Sequence, residues 1–136
     1  VDFHPRGREI GSVDIELTPA GQQDRLLGTL PSRFAAQVSH QQSVLQLPAE
    51  AVRLAQNDFD SNHGFRLGDN AWGLQFHPEF NAEISAAYIR ERAADLQAEG
   101  LDSEAWTRPS SRPLLPLPLP PLRECVGGKD LPAGAR

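Results

Sequence analysis

Two residues of this 136-residue chain are well suited to do chemistry: His77 and Glu79, in the stretch "WGLQFHPEF" at 72 to 80. An apolar run closes on histidine, proline and glutamate, then turns polar. If residues 74 to 76 run as a strand, side chains two apart project to one side, so His77 and Glu79 meet at its end. Pro78 between them donates no ladder hydrogen bond, so pairing stops there. A carboxylate beside an imidazole fixes its tautomer and stabilises the imidazolium, as a general base for a nucleophile requires. The same pair also fits a solvated strand edge or two metal ligands. No Cys-x-x-Cys or His-x-x-x-His spacing supports a metal, so neither metal nor cofactor is expected.

The surrounding elements must hold that pair. "REIGSVDIEL", 8 to 17, alternates as a strand. "PAGQQDRLLGTL", 19 to 30, opens on proline and suits a short helix that turns at Pro31. "RFAAQVSH" reads as a strand with Phe34, Ala36 and Val38 on one face, and "AVRLAQN" as another. "GFRLGDNAWGLQF" is expected to be a hairpin about residues 68 to 70, its second strand running through 72 to 79. After it the period changes to helical. Residues 81 to 100 carry Ile84, Ala87, Tyr88 and Leu96 at near-helical spacing, with Asn81 as cap and Gly100 as stop. The pattern is α/β, a helix packed on a sheet.

The totals set limits. The chain suffices for one domain. A net charge of −5 and a pI near 5.3 argue against nucleic-acid and anionic-membrane partners. No apolar run approaches the roughly 20 residues that span a bilayer. One cysteine, Cys125, cannot make an internal disulfide and fits a cytoplasmic setting. The chain has no methionine and begins at Val1, so a fragment lacking its N-terminal part is expected. Seven of the twelve prolines lie beyond residue 107, so 108–136 reads as a separate polyproline or disordered tail after a 1–107 domain. A departure from the parent reading frame near Trp106 gives the same pattern.

Taken together, these segments resemble the class I glutamine amidotransferases. "WGLQFHPEF" is similar to their C-terminal active-site motif, "QVSHQQSVLQLP" at 37 to 48 to their Ser-His segment, and "REIGSVDIELT" to the strand after the nucleophile's helix. The resemblance covers residues 1 to about 100 and looks most like the stand-alone type similar to the amidotransferase domain of GMP synthase. It implies part of a flavodoxin-like sandwich, a sheet flanked by helices, with the first strands and the nucleophile elbow absent. It further implies a Cys-His-Glu triad in which His77 is the base and Glu79 orients it. Ser39, His40 and Gln41 match the segment whose backbone helps hold the glutamine α-amino and carboxylate groups. Glutamine is then the substrate, and an ammonia-accepting synthetase a partner; no synthetase loop follows in the tail.

The sequence departs from the family at the nucleophile. It has no Gly-x-Cys-x-Gly elbow, and Cys125 follows the histidine in a proline-rich setting that suits no nucleophile. Two other readings stand beside the amidotransferase: a non-catalytic binding module that keeps the fold, and a γ-glutamyl hydrolase on the same scaffold. His4 reads as a loop residue, His63 as exposed, and His40 equally as a packed histidine at a strand end. Trp72 and Phe76 read as core. The charges of "RERAADLQAE", Arg90 with Asp95 and Arg92 with Glu99, read as a solvated helix face.

Overall fold

A computed structural model describes residues 1–106; the expected tail at 108–136, with Cys125, lies outside the described residues. The elements are β1 (Asp2–Phe3), β2 (Glu9–Leu17), α1 (Pro19–Gln22), a 3-10 turn (Leu27–Thr29), β3 (Arg33–His40), β4 (Gln42–Ser43), β5 (Ala51–Gln56), β6 (Gly64–Leu67), β7 (Ala71–Leu74), α2 (Ala82–Glu91), α3 (Ala93–Ala98) and α4 (Ser103–Trp106). Five strands form one antiparallel sheet in the order β3-β2-β5-β6-β7, and β1 pairs with β4 in a small ribbon.

Alternation in β2 and β3 builds the main core. Ile15 and Leu17 of β2 meet Phe34, Ala36 and Val38 of β3 on one face, joined by Leu54, Ala55 and Phe76. Ile10 has the opposite parity and packs on the other face against Ile89 and Leu96. The helix expected over 19 to 30 stops at Gln22. The cause lies in Asp24, whose Oδ1 accepts from the backbone N–H of Leu26 at 2.9 Å and of Leu27 at 3.0 Å. This local side-chain bonding competes with the helical ladder and turns the chain. α1 lies so close to β5 that a Cβ at Gly21 would stand 2.0 Å from the Leu54 carbonyl oxygen.

Near the site the structure corrects the expected strand. β7 ends at Leu74 and does not run to residue 79. Its hydrogen bonding continues only as single contacts: Gln75 N–H donates to the His63 carbonyl at 2.9 Å, and His77 N–H to the Gln37 carbonyl at 2.7 Å. The second is an isolated bridge to β3, at the far edge of the sheet. The sheet therefore curls until the chain beyond β7 touches its opposite edge, and Pro78, with no N–H, ends the pairing.

The segment 81 to 100 is two helices with a break at Arg92. Its buried face is Ser85, Ile89 and Leu96, while Ile84 is 46% exposed. The Ile84–Tyr88 stripe lost to its neighbour because Ile89, one residue on, faces Ile10. Asn81 Oδ1 caps α2 through the Ile84 N–H at 2.8 Å. Gly100, at φ 77°, ends α3: Leu101 N–H donates to the Leu96 carbonyl at 2.8 Å and Gly100 N–H to that of Gln97 at 3.0 Å. Glu99 does not pair with Arg92. It takes a two-pronged contact from Arg8, Nε to Oε2 at 2.8 Å and an outer guanidinium nitrogen to Oε1 at 2.9 Å, which ties the end of α3 to the start of β2.

Candidate active site

His77 and Glu79 come together, though on a turn and not on a strand. His77 Nδ1 lies 2.7 Å from Glu79 Oε1. The bridge to Gln37 fixes the His77 backbone, and the Phe80 ring stacks on the imidazole at a centroid distance of 4.3 Å and 14°. Burial pushes the Glu79 carboxyl up, but the His77 hydrogen bond, a backbone donor and the histidine's charge outweigh it and hold it below the usual carboxylate range. An ionised Glu79 only accepts, so Nδ1 carries the proton. The lone pair is then at Nε2, the atom a base needs. The imidazole is 34% exposed and Glu79 62%, so the pair stands at the surface with its basic edge accessible.

The Ser39–Gln41 segment ends β3, the strand that His77 bridges. Cross-strand partners point to one side, so Ser39, two residues past Gln37, shares a face of β3 with His77. Its Oγ is buried and has no hydrogen-bond partner. The Gln41 side chain donates to Glu99 Oε1 at 2.6 Å. The His40 side chain turns to the opposite face. There its Nε2 lies 3.0 Å from Glu9 Oε2 and its Nδ1 3.1 Å from the Gln42 carbonyl oxygen.

His63 corrects the expectation of exposure: it is fully buried. Its Nε2 lies 2.9 Å from the same Glu9 oxygen, though off the angle of a hydrogen bond. Burial pushes Glu9 up, yet the two imidazoles and Asn57, whose Nδ2 donates to Oε1 at 2.6 Å, bring it down to about 2. Burial lowers His40, and Glu9 with the Gln42 carbonyl more than restores it, so its pKa is raised. Sequence reasoning missed Glu9 and misjudged His63, because no local spacing joins positions 9, 40 and 63. The one signal was Glu9 opening an apolar strand.

Residues 6–95 match the family "Glutamine amidotransferase class-I". The chain belongs to the class I glutamine amidotransferase family. Among similar proteins, γ-glutamyl peptidase 3 of Arabidopsis thaliana is 34% identical over 86 residues, 57% of this chain and 34% of that protein. The glutamine-hydrolysing GMP synthase of Aeropyrum pernix is 37% identical over 71 residues, 52% of this chain and 13% of the synthase. A glutamine amidotransferase crystal structure from Thermotoga maritima is 25% identical, with a TM-score of 0.63 over 78% of this chain and 44% of its own. The chain thus spans about a third or less of the curated relatives it matches. The mixed α/β fold with its curled antiparallel sheet is that of the class I glutamine amidotransferases, a flavodoxin-like family. The motif resemblance and the family match rest on the same residues.

Proposed function

We propose that this chain supplies the base and the orienting acid of a Cys-His-Glu triad that hydrolyses the side-chain amide of glutamine. The observation that carries the reading is the His77 Nδ1 to Glu79 Oε1 contact of 2.7 Å with Nε2 left accessible. In this scheme a cysteine contributed by residues outside the sequence gives its thiol proton to His77 Nε2. The thiolate attacks the carboxamide carbon, and backbone N–H groups hold the resulting oxyanion. The imidazolium, stabilised by Glu79, returns the proton to the leaving ammonia, and a glutamyl thioester remains. Water, deprotonated by His77, releases glutamate and frees the thiol. Backbone groups of Ser39, His40 and Gln41 hold the glutamine α-amino and carboxylate groups; this fits the engagement of the His40 and Gln41 side chains elsewhere.

The ammonia passes to a synthetase partner, as the likeness to a GMP synthase suggests. Likeness to a γ-glutamyl peptidase supports a second reading, in which the same triad cleaves γ-glutamyl amides and water is the final acceptor. A cytoplasmic setting belongs to the same proposal and rests on the single cysteine. The test is glutamate release from glutamine and from γ-glutamyl peptides by the full-length protein, wild type and His77→Ala. Release lost in the variant is expected. Full activity without His77 overturns the triad. Preference for γ-glutamyl peptides selects the second reading.

A further inference from the structure

Glu9 and His40 are cross-strand partners at one end of the β2–β3 pair, and His63 immediately precedes β6. All three reach one point on the face of β3 opposite His77. Glu9 and His63 are buried and His40 nearly so. One donor atom from each lies within 4.8 Å of the others.

The convergence on one oxygen makes this cluster unusual. His40 Nδ1 lies 3.1 Å from the Gln42 carbonyl oxygen, which accepts from a protonated Nδ1, and 3.3 Å from the Ser43 hydroxyl. His40 Nε2 faces Glu9 Oε2 at 3.0 Å, and in a neutral ring protonated at Nδ1 it is the atom that would bind a cation placed there. His63, fully buried, has neither ring nitrogen in a hydrogen bond, and its Nε2 lies 2.9 Å from that same oxygen. Two imidazole nitrogens thus converge on one carboxylate oxygen, and one of the rings, His63, makes no hydrogen bond of its own. The outer contacts are those of a metal site: His40 Nδ1 held by a backbone carbonyl and Glu9 Oε1 held by Asn57. The imidazole planes stand at 87° with centroids 5.6 Å apart, so both rings address the oxygen without stacking.

We infer that Glu9 Oε2, His40 Nε2 and His63 Nε2 bind one divalent transition cation of the zinc class. Two imidazoles and a carboxylate are a donor set that zinc accepts, and three protein ligands leave a fourth position for water. Donors of a tetrahedral zinc stand about 3.4 Å apart. The contacts of 2.9 and 3.0 Å must open and the widest spacing, within 4.8 Å, must close for the three side chains to admit the ion. The ion would pin the ends of β2 and β3 to the loop before β6. The inference does not rest on the triad reading, since His77 lies outside the cluster.

The test uses the untagged full-length chain, stripped with a chelator, then titrated with zinc and with cobalt(II) alone. One equivalent is expected to bind tightly, with a raised thermal midpoint and a cobalt absorption band of low-coordinate geometry. Long-range 1H–15N spectra of the wild type should show the Nε2 signals of His40 and His63 move on zinc addition, while those of His4 and His77 stay. This readout needs no variant and so survives any folding defect. Stoichiometric binding is expected to fall at least tenfold in Glu9→Gln and in His63→Gln and to persist in His4→Ala. No zinc or cobalt binding by the wild type, or shifts confined to His4 or His77, would overturn the inference.

Discussion

The His77–Glu79 pair and the Glu9–His40–His63 cluster use the same two chemical groups on opposite faces of β3. In the first, the carboxylate and imidazole are two residues apart, the one mostly and the other about a third in solvent, and one ring nitrogen is left accessible. In the second, they come from positions 9, 40 and 63, are buried or nearly so, and both imidazoles point an Nε2 at one carboxylate oxygen. An exposed pair costs little to hold charged and can exchange protons with a substrate. A buried carboxylate is kept ionised only by its partners, and removing one leaves an uncompensated charge in the interior. Under the proposed reading, exposure separates a pair that would serve turnover from a cluster that would hold strands together.

Substitutions can break this division, and the largest effect is expected at His77. In the full-length protein, His77→Ala should lower glutamine turnover by on the order of 10⁴- to 10⁶-fold, the scale for losing a triad base. Its unfolding midpoint should barely move, because the side chain packs mainly against Phe80. Glu9→Ala should do the reverse in the chelated protein. It leaves two buried imidazoles without their carboxylate and should cost about 3–5 kcal/mol in urea unfolding. A midpoint unchanged in Glu9→Ala, or shifted strongly in His77→Ala, breaks the comparison.

Glu79→Gln sharpens it. The amide oxygen can still accept from His77 Nδ1 but no longer stabilises the imidazolium, so turnover should fall on the order of 10²- to 10⁴-fold, less than for His77→Ala. Equal losses in the two variants would mean that Glu79 does more than orient and stabilise the ring. The smallest effect is expected at Arg8, beside Glu9 but outside the cluster. Arg8→Ala removes the two-pronged contact to Glu99 and should cost about 1 kcal/mol or less at neutral pH. The Arg8 hydrogen bond and charge lower the Glu99 pKa below its ordinary 4.5. The pair's contribution is therefore present above about pH 4.5 and lost as pH falls through the depressed value. The difference between wild type and variant in denaturant midpoint should vanish on acidification, and a pH-independent difference would point to lost packing.

Much of this was legible in the sequence wherever the signal was local. Alternation marked β2, β3 and β5, the Gly68–Asp69–Asn70 turn marked the hairpin, and Asn81 and Gly100 marked the ends of the helical segment. The His-x-Glu spacing found the exposed pair although its backbone is a turn, because Pro78 stops strand pairing in either geometry. Long-range effects hid the rest. The helix face was misread because Ile84 and Ile89 are equally apolar, and only the position of Ile10 on β2 decides between them. His63 sits in the polar run "DSNHGF", and nothing local says that Glu9 lies across the curled sheet. The early end of α1 followed from the Asp24 side chain, whose turn-forming role depends on the backbone it meets.

The central claim is that His77 is the base that makes the thioester. Its most direct test is the mass of the full-length protein after rapid mixing with glutamine and acid quench, in wild type and in a folded His77→Ala. A glutamyl adduct on a cysteine is expected in the wild type and absent, or formed at least a thousandfold more slowly, in the variant. An adduct that accumulates at the wild-type rate without His77 would contradict the claim.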